Sequence, residues 1–249
     1  MAGHSKWANI KRHKWAQDAK RSKIFTKHIR EITVAARMGG PDPETNPRLR
    51  LALDRAFAVN LPKDRADAAI KKGAGLEEVT HYEEVRYEGY GPGGTAIMVD
   101  CMTDNRNRTV SEVRHAFTKH GGKLGTDNSV AYLFQERGVL VFPPGTDSDQ
   151  VLEVALEAGA DDLVENDDGS LEVLTTPEAY RGVREALIRA GLEPAQADIT
   201  QRPDLTVQVE GEKAESTAKL IDRLEDLDDV QHVYTNADLP AEAYEEGQA

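Results

Sequence analysis

Lysine and arginine crowd the start of this chain, and their side chains could neutralise phosphate groups. Ten of them lie in the first 37 residues, where the only acidic residues are Asp18 and Glu31. A face that serves solubility alone usually mixes both signs, so this stretch favours contact with a polyanion. The candidate phosphate contacts are Lys6, Lys11, Arg12, Lys14, Lys20, Arg21, Lys23, Lys27 and Arg30. Trp7 lies among them and either stacks on a base or ribose or anchors the core.

Charge is divided unevenly along the chain. The 249 residues include 31 Lys+Arg and 44 Asp+Glu, a net charge of −13. Residues 1–72 hold 17 Lys+Arg and 7 Asp+Glu, a balance of +10, and the remaining residues hold 14 and 37, a balance of −23. Such asymmetry is typical of a protein in which one module meets nucleic acid and the rest does not.

A second candidate site follows in a glycine-rich segment, 89–94, and a polar segment, 104–109. The first lacks the Gly-Lys-Ser/Thr of a phosphate-gripping loop, so it is either a tight hairpin or a loop whose bare backbone lets a ligand approach. The arginines of the second segment are either surface residues or phosphate contacts. The candidate ligand-binding residues are Tyr87, Tyr90, Gly91, Gly93, Gly94, Asn105, Arg106 and Arg108.

Residues that could carry catalysis do not form a recognisable constellation. Cys101 lies in the middle of an apolar stretch, which predicts a buried, inert thiol. The seven histidines include no His-x-x-x-His pair, so we expect no metal site. We therefore expect no catalytic residue, no cofactor and no enzymatic activity. A single cysteine favours a reducing compartment, the cytoplasm, and no apolar run approaches the ~18 residues that a membrane helix needs.

The basic residues are carried by a predicted helical unit, residues 1–76. In the segment 20–37, Phe25, Ile29 and Ile32 fall on one narrow stripe of a helix, and the cations fall on the opposite face. Asn46 followed by a proline is typical of a helix start. In the helix that follows, we expect Phe57 to face the core.

The rest of the chain is predicted to be α+β. Strands 82–90 and 95–102, a helix from Val110 and a strand over 129–134 form a second domain. A β-α-β-β-α-β order then predicts a ferredoxin-like unit at 137–204. The last elements, in 205–249, are expected to return to residues 77–136, so that the ferredoxin-like unit is an insertion. The predicted fold is thus multidomain, α and α+β.

Several long sequence strings resemble the YebC family, which includes the mitochondrial translational activator of cytochrome c oxidase subunit I. They cover nearly the whole chain. The matching strings are MAGHSKWANIK at 1–11, QDAKR at 17–21, FTK at 25–27, NPRLR at 46–50, YEGYGPGG at 87–94, DNRNRT at 104–109, LGT at 124–126, SVAYLF at 129–134 and ALEAGA at 155–160.

This resemblance implies a fold and two functions. The implied fold has a helical N-terminal domain, an α/β domain and a ferredoxin-like domain inserted in it. The first implied function is a regulator of transcription that binds promoter DNA. The alternative is a ribosome-associated translation factor that binds ribosomal RNA and relieves stalling on proline-rich nascent sequences. Basic residues that run along more than one helix suit contact with the phosphate backbone better than base readout.

Overall fold

Helices alone build the N-terminal unit of the protein, for which we describe a computed structural model covering residues 21–76 and 81–244. Its helices are α1 (Arg21–Gly39), α2 (Pro47–Ala58) and α3 (Lys63–Lys71), followed by a π-helical turn at Lys72–Leu76. The apolar stripe of α1 packs on α2 and α3, and Ile32, Leu49 and Leu61 lie in the resulting core.

Asn46 fixes the corner between α1 and α2. Its Oδ1 accepts the amide of Leu49 at 3.0 Å, and its Nδ2 donates to the carbonyls of Ala35 and Gly40, each at 2.8 Å. The predicted start of α2 is therefore confirmed. The prediction that Phe57 faces the core is wrong: this side chain is 44% exposed, because its neighbour Ala56 occupies the inward position.

Ten strands and four further helices follow within the described residues. No helix in these ranges is long and apolar enough to cross a bilayer. In chain order these strands and helices are β1 (Glu83–Tyr90), β2 (Ala96–Thr103), α4 (Arg106–Lys119), β3 (Lys123–Leu124), β4 (Phe134–Phe142), α5 (Ser148–Glu157), β5 (Asp162–Glu165), β6 (Leu171–Thr175), α6 (Tyr180–Arg189), β7 (Gln196–Pro203), β8 (Val207–Gln208), α7 (Gly211–Glu225), β9 (Val230–Thr235) and β10 (Ala237–Asp238).

The second unit is a four-stranded sheet in the order β3-β1-β2-β9, all pairs antiparallel. Helices α4 and α7 cover one face of it, with Phe117, Leu220 and Leu224 in the core between helices and sheet. The strand β9 lies beyond residue 205 in the chain, so the last segment of the chain returns to this sheet. The short strands β8 and β10 pair in parallel beside it.

The third unit is a second four-stranded sheet, in the order β5-β6-β4-β7 with antiparallel pairs throughout. Its core includes Leu140, Phe142, Val173 and Leu187, under the helices α5 and α6. The element order β-α-β-β-α-β is the one expected from the sequence. Assignment of this unit to the ferredoxin-like class stays a prediction.

The start of one helix and the conformation of one segment differ from the sequence prediction. Helix α4 begins at Arg106 and not at Val110, because Asn105 is extended and its side chain accepts the amide of Arg108. The segment 129–134 is not a strand but a 3₁₀ turn at Ala131–Leu133 that leads into β4. The physical reason is Glu88, a buried residue that draws the amides of this segment to its carboxylate and away from any sheet.

We expect Glu88→Gln to lower the free energy of unfolding by about 2 kcal/mol, since a buried acceptor of several hydrogen bonds is lost. The carboxylate accepts the amides of Asn128, Val130 and Ala131 at 2.7–2.8 Å. The glutamine has the same size, but its amide nitrogen would face backbone N–H donors. Urea unfolding checks this, with the exposed Glu83→Gln as the control. Equal stability of the two variants would contradict the structural role of Glu88.

Candidate nucleic-acid interface

The cationic face of α1 is partly covered in this structure, with Lys27 and Arg30 half-buried and Lys23 still exposed. The face opposite the apolar stripe packs against the second unit, where α7 ends and the loop 226–229 begins. The last carbonyl groups of a helix have no partner within the helix and carry the negative end of its dipole. Cationic side chains are therefore suited to this position.

Two of the predicted phosphate contacts bind carbonyl groups at the end of α7, and a third binds carbonyl groups of β2 and of the loop 226–229. Lys27 Nζ donates to the carbonyl of Glu225 at 2.5 Å, and Lys23 Nζ donates to that of Asp226 at 3.0 Å. Arg30 Nη1 donates to the carbonyls of Met102 at 2.9 Å and Asp228 at 2.8 Å. The guanidinium also lies 4.8 Å from the ring centre of Tyr82 and 3.6 Å from Asp229 Oδ1.

In this arrangement of the units, Lys23, Lys27 and Arg30 each have a hydrogen-bond partner within the protein. Burial lowers the pKa of Lys27, while Glu225 and Asp226 act in the opposite direction. Helical periodicity shows which residues share a face, but it does not show whether that face meets water or another part of the chain. Whether these three residues ever contact phosphate stays a prediction.

The remaining basic candidates lie outside the described residues. They are Lys6, Trp7, Lys11, Arg12, Lys14 and Lys20, together with the side chain of Arg21.

Asp229 is the centre of the junction between the first two units. Its buried Oδ2 accepts Arg108 Nη2 at 2.6 Å, Thr109 Oγ1 at 2.8 Å and Thr103 Oγ1 at 3.1 Å. Two hydrogen bonds raise the pKa of Arg108: the one to Asp229 has the larger effect, and the one to Asp104 the smaller. Arg108 was a candidate for ligand phosphate, and the structure instead pairs it with these two carboxylates.

The predicted ligand loop is divided between the two ends of the β1–β2 hairpin. Tyr90 pairs with Ala96 at the turn, whereas Glu83 pairs with Thr103 at the opposite end, and eight-residue strands separate those ends by roughly 24 Å. Gly91, Gly93 and Gly94 lie at the turn end, while Asn105, Arg106 and Arg108 lie at the other end. These residues therefore do not form one site.

The turn itself is explained by its glycines. Gly93 and Gly94 have φ of +76° and +78°, and a Cβ at Gly91 would come within 2.5 Å of Thr95 Oγ1. The hydroxyl of Tyr90 donates to the carbonyl of Ser129 at 2.9 Å, and Tyr87 packs against the sheet core. The hairpin interpretation of segment 89–94 accounts for all of these observations.

A cleft of about 1170 Å³ lies where the three units meet. Arg55 on α2 joins the first unit to the third by donating to Asp198 Oδ1 at 2.7 Å and to the carbonyl of Ile199 at 2.7 Å. Arg48 pairs with Glu31 and Glu84. The arginines of the cleft are largely matched by carboxylates, so the cleft does not present a surface of one sign.

Two histidines lie beside this junction in their neutral form. Burial, together with Arg55 and Lys27, lowers the pKa of His28 to about 4. Burial, followed by Arg55, His28 and Lys27, lowers the pKa of His232 to about 3. The His232 ring stacks on Tyr234 with ring centres 5.9 Å apart.

One group of exposed cations was missed by the sequence interpretation. Residues 113–126 contain three Lys+Arg and two His but no Asp or Glu, inside a part of the chain with a balance of −23. That local absence of acidic residues was the signal that could have revealed the group. In the structure these cations lie at the end of α4 and in β3, away from α1.

Comparison with known proteins identifies the class of protein. The family described as "TACO1/YebC protein N-terminal domain" matches residues 5–76, and the one described as "TACO1/YebC second and third domain" matches residues 82–237. The chain therefore belongs to the TACO1/YebC family, as its sequence strings suggested.

The relatives cover essentially the whole chain. A protein of Halorhodospira halophila named "Probable transcriptional regulatory protein" is 91% identical over 99% of this chain and 100% of its own. A protein of Nitrosomonas europaea with a similar name is 62% identical over 96% of this chain and 99% of its own. A crystal structure of a conserved hypothetical protein from Aquifex aeolicus is similar with a TM-score of 0.78 and 48% identity, covering 90% of this chain and 92% of that one.

Arg30→Ala is expected to lower the free energy of unfolding by about 2–4 kcal/mol, because it leaves the buried carboxylate of Asp229 and two carbonyl groups without this partner. Lys23→Ala is the matched control. Its ion pair with Asp228 has side chains 53% and 80% exposed, so a loss below about 1 kcal/mol is expected. Urea unfolding of both variants measures the difference, and equal losses would contradict a structural role for Arg30.

Acidification should weaken the junction through its histidines. Their folded-state pKa values of about 4 and about 3 lie below the ordinary value of 6.5, so the unfolded chain binds protons first as the pH falls. Stability is thus complete above pH 6.5 and declines as the pH falls toward 4. Thermal unfolding should show a smaller decline in His28→Gln/His232→Gln than in the wild type. An unchanged pH profile would exclude these histidines as the cause.

Proposed function

We propose that this protein is a non-enzymatic regulator of gene expression that binds DNA through its N-terminal module. The observation that carries the proposal is the division of charge, +10 in residues 1–72 against −23 in the rest. The relatives named as probable transcriptional regulatory proteins support the regulatory role. Lysine and arginine bind DNA largely by releasing the counterions that surround its phosphates.

The contacts inside the protein narrow the choice of DNA-binding residues. Lys23, Lys27 and Arg30 are engaged with backbone carbonyl groups of the second unit. We therefore assign the main phosphate contacts to the cations that precede them in the chain. This assignment rests on the sequence alone and includes Lys6, Lys11, Arg12 and Lys14.

The environment of Cys101, the single cysteine of the chain, supports a binding role without cysteine catalysis. Cys101 is 2% exposed, and burial raises its pKa to about 12, so its thiolate is not available at neutral pH. A single cysteine in the chain also suits a reducing compartment such as the cytoplasm.

Replacing Lys11 and Lys14 with glutamine should weaken binding to a mixed-sequence DNA duplex. Each lost phosphate contact reduces the slope of log K against log salt by ~0.9, so a change of ~1.8 is expected. Fluorescence anisotropy between 50 and 200 mM salt measures this slope, with Arg181→Gln/Arg189→Gln on the third unit as a control of equal charge. The same slope in wild type and Lys11→Gln/Lys14→Gln would refute the assignment.

The ribosome-associated alternative is tested in the same experiment. Co-sedimentation with purified ribosomes forms a second arm with the same variants. Lysine-dependent binding to ribosomes, combined with no binding to duplex DNA, would replace the proposed function by the translation role.

A further inference from the structure

A second cationic surface lies on the second unit, separate from the N-terminal module. It combines cations of the acid-free stretch 113–126 with two basic residues of α7, a helix that also carries acidic residues such as Glu215 and Asp222. We call the set formed by Lys119, His120, Lys123, Lys219 and Arg223 the α4–α7 face. Its position follows from the core beneath it, where Phe117 of α4 and Leu220 of α7 pack together.

Lys119, Lys219 and Arg223 lie close to His120. The pKa of His120 shows this proximity. Burial lowers this pKa most, and the nearby positive charges of Lys119, Arg223, Lys219 and His115 lower it further. The turn after α4 also touches α7, since a Cβ placed on Gly122 would come within 3.2 Å of Leu220 Cδ2. Residues from two helices distant in the sequence are therefore gathered on one side of the unit.

These cations are largely not neutralised by the protein. Lys119, Lys123 and Arg223 are exposed, and within residues 21–76 and 81–244 none of them forms an ion pair. Lys219 has one loose pair, 3.8 Å from Glu215, with side chains 47% and 33% exposed. Arg86 of the same unit, by contrast, lies 2.6 Å from Asp100.

Helix stabilisation explains only part of this face. Lys119 and Arg223 lie in the last turns of α4 and α7, where a cation favours the helix dipole. Lys219 lies within α7, away from its end, and Lys123 belongs to a strand, so that explanation does not reach them. Unneutralised charges of one sign beside one another repel, and they need another reason to be gathered.

Two glycine turns extend the surface. Gly121, with φ of +75°, adjoins the turn at Pro92, and a Cβ on Gly93 would come within 3.9 Å of Lys213 Cδ. A Cβ on Gly94 would meet nothing within 4 Å. Bare backbone beside lysine side chains allows close approach of a phosphate group.

We propose that the α4–α7 face binds the phosphate backbone of duplex DNA. This inference rests on the proposed function and adds a contact surface that does not depend on the N-terminal lysines. Single-stranded nucleic acid is normally held by aromatic stacking, and the only aromatic side chain among the five residues of the face is that of His120. The nearby Tyr90 directs its hydroxyl to the carbonyl of Ser129.

The test replaces Lys119 and Arg223 with glutamine in the full chain. A mixed-sequence DNA duplex is titrated by fluorescence anisotropy between 50 and 200 mM salt. The expected result is a salt slope reduced by ~1.8 and an affinity about 10- to 30-fold lower near 150 mM salt. Arg181→Gln/Arg189→Gln, of equal charge, should bind as the wild type does. Circular dichroism confirms folding, and Lys123→Gln/Lys219→Gln, outside the last helical turns, gives a second variant with the same expected effect.

The outcomes separate this inference from the proposed function. Wild-type binding that both face variants leave unchanged would overturn the α4–α7 face and keep the proposed function. No binding by the wild type would overturn both. A loss confined to single-stranded RNA of the same length, with duplex binding unchanged, would overturn the assignment of duplex DNA.

Discussion

Docking of the cationic side of α1 onto the carbonyl end of α7 is the interaction on which the arrangement of the first two units depends. Lys27 and Lys23 bind the carbonyl groups at the end of the helix, and Arg30 reaches both the sheet and the loop 226–229. The two lysine contacts satisfy acceptors that the helix itself leaves open. The basic module is therefore attached to the acidic part of the chain by the same type of charge that could bind a polyanion.

Asp229 extends this junction into the second unit. Its carboxylate receives Arg108 and two threonine hydroxyls, and Arg30 lies nearby. A buried carboxylate with several donors is stable only when all of them are in place. One side chain, Asp229, thus links the positions of three elements: α1, the start of α4 and the loop after α7.

The distribution of charge then limits where a nucleic acid can approach. The third unit, residues 137–204, carries 5 Lys+Arg against 15 Asp+Glu, so it repels a phosphate backbone. Lys23, Lys27 and Arg30 of α1 have partners within the protein, and Arg48 and Arg55 of the junction cleft are paired with carboxylates. The proposed contacts therefore lie at the N-terminal segment and on the α4–α7 face.

Local signals were sufficient to predict much of the fold. Asn46 before a proline located the start of α2, the spacing of Phe25, Ile29 and Ile32 located the core side of α1, and the family strings covered nearly the whole chain. These features depend on contacts between residues close in sequence, or on patterns with a fixed period. The strand expected at 129–134 failed because Glu88, forty residues earlier, captures the amides of that segment.

The sequence by itself determined the charge division, the helical nature of the first module and the order of elements in the third unit. Only the tertiary structure decided which cations remain available. Periodicity placed Lys23, Lys27 and Arg30 on one face of α1, but only the packing against the end of α7, almost 200 residues away in the chain, gave them partners within the protein. The packing of α4 against α7 also brought Lys119 and Arg223 to one surface. The reason is physical: the free energy of a charge depends on its neighbours in space, and those neighbours are set by long-range packing.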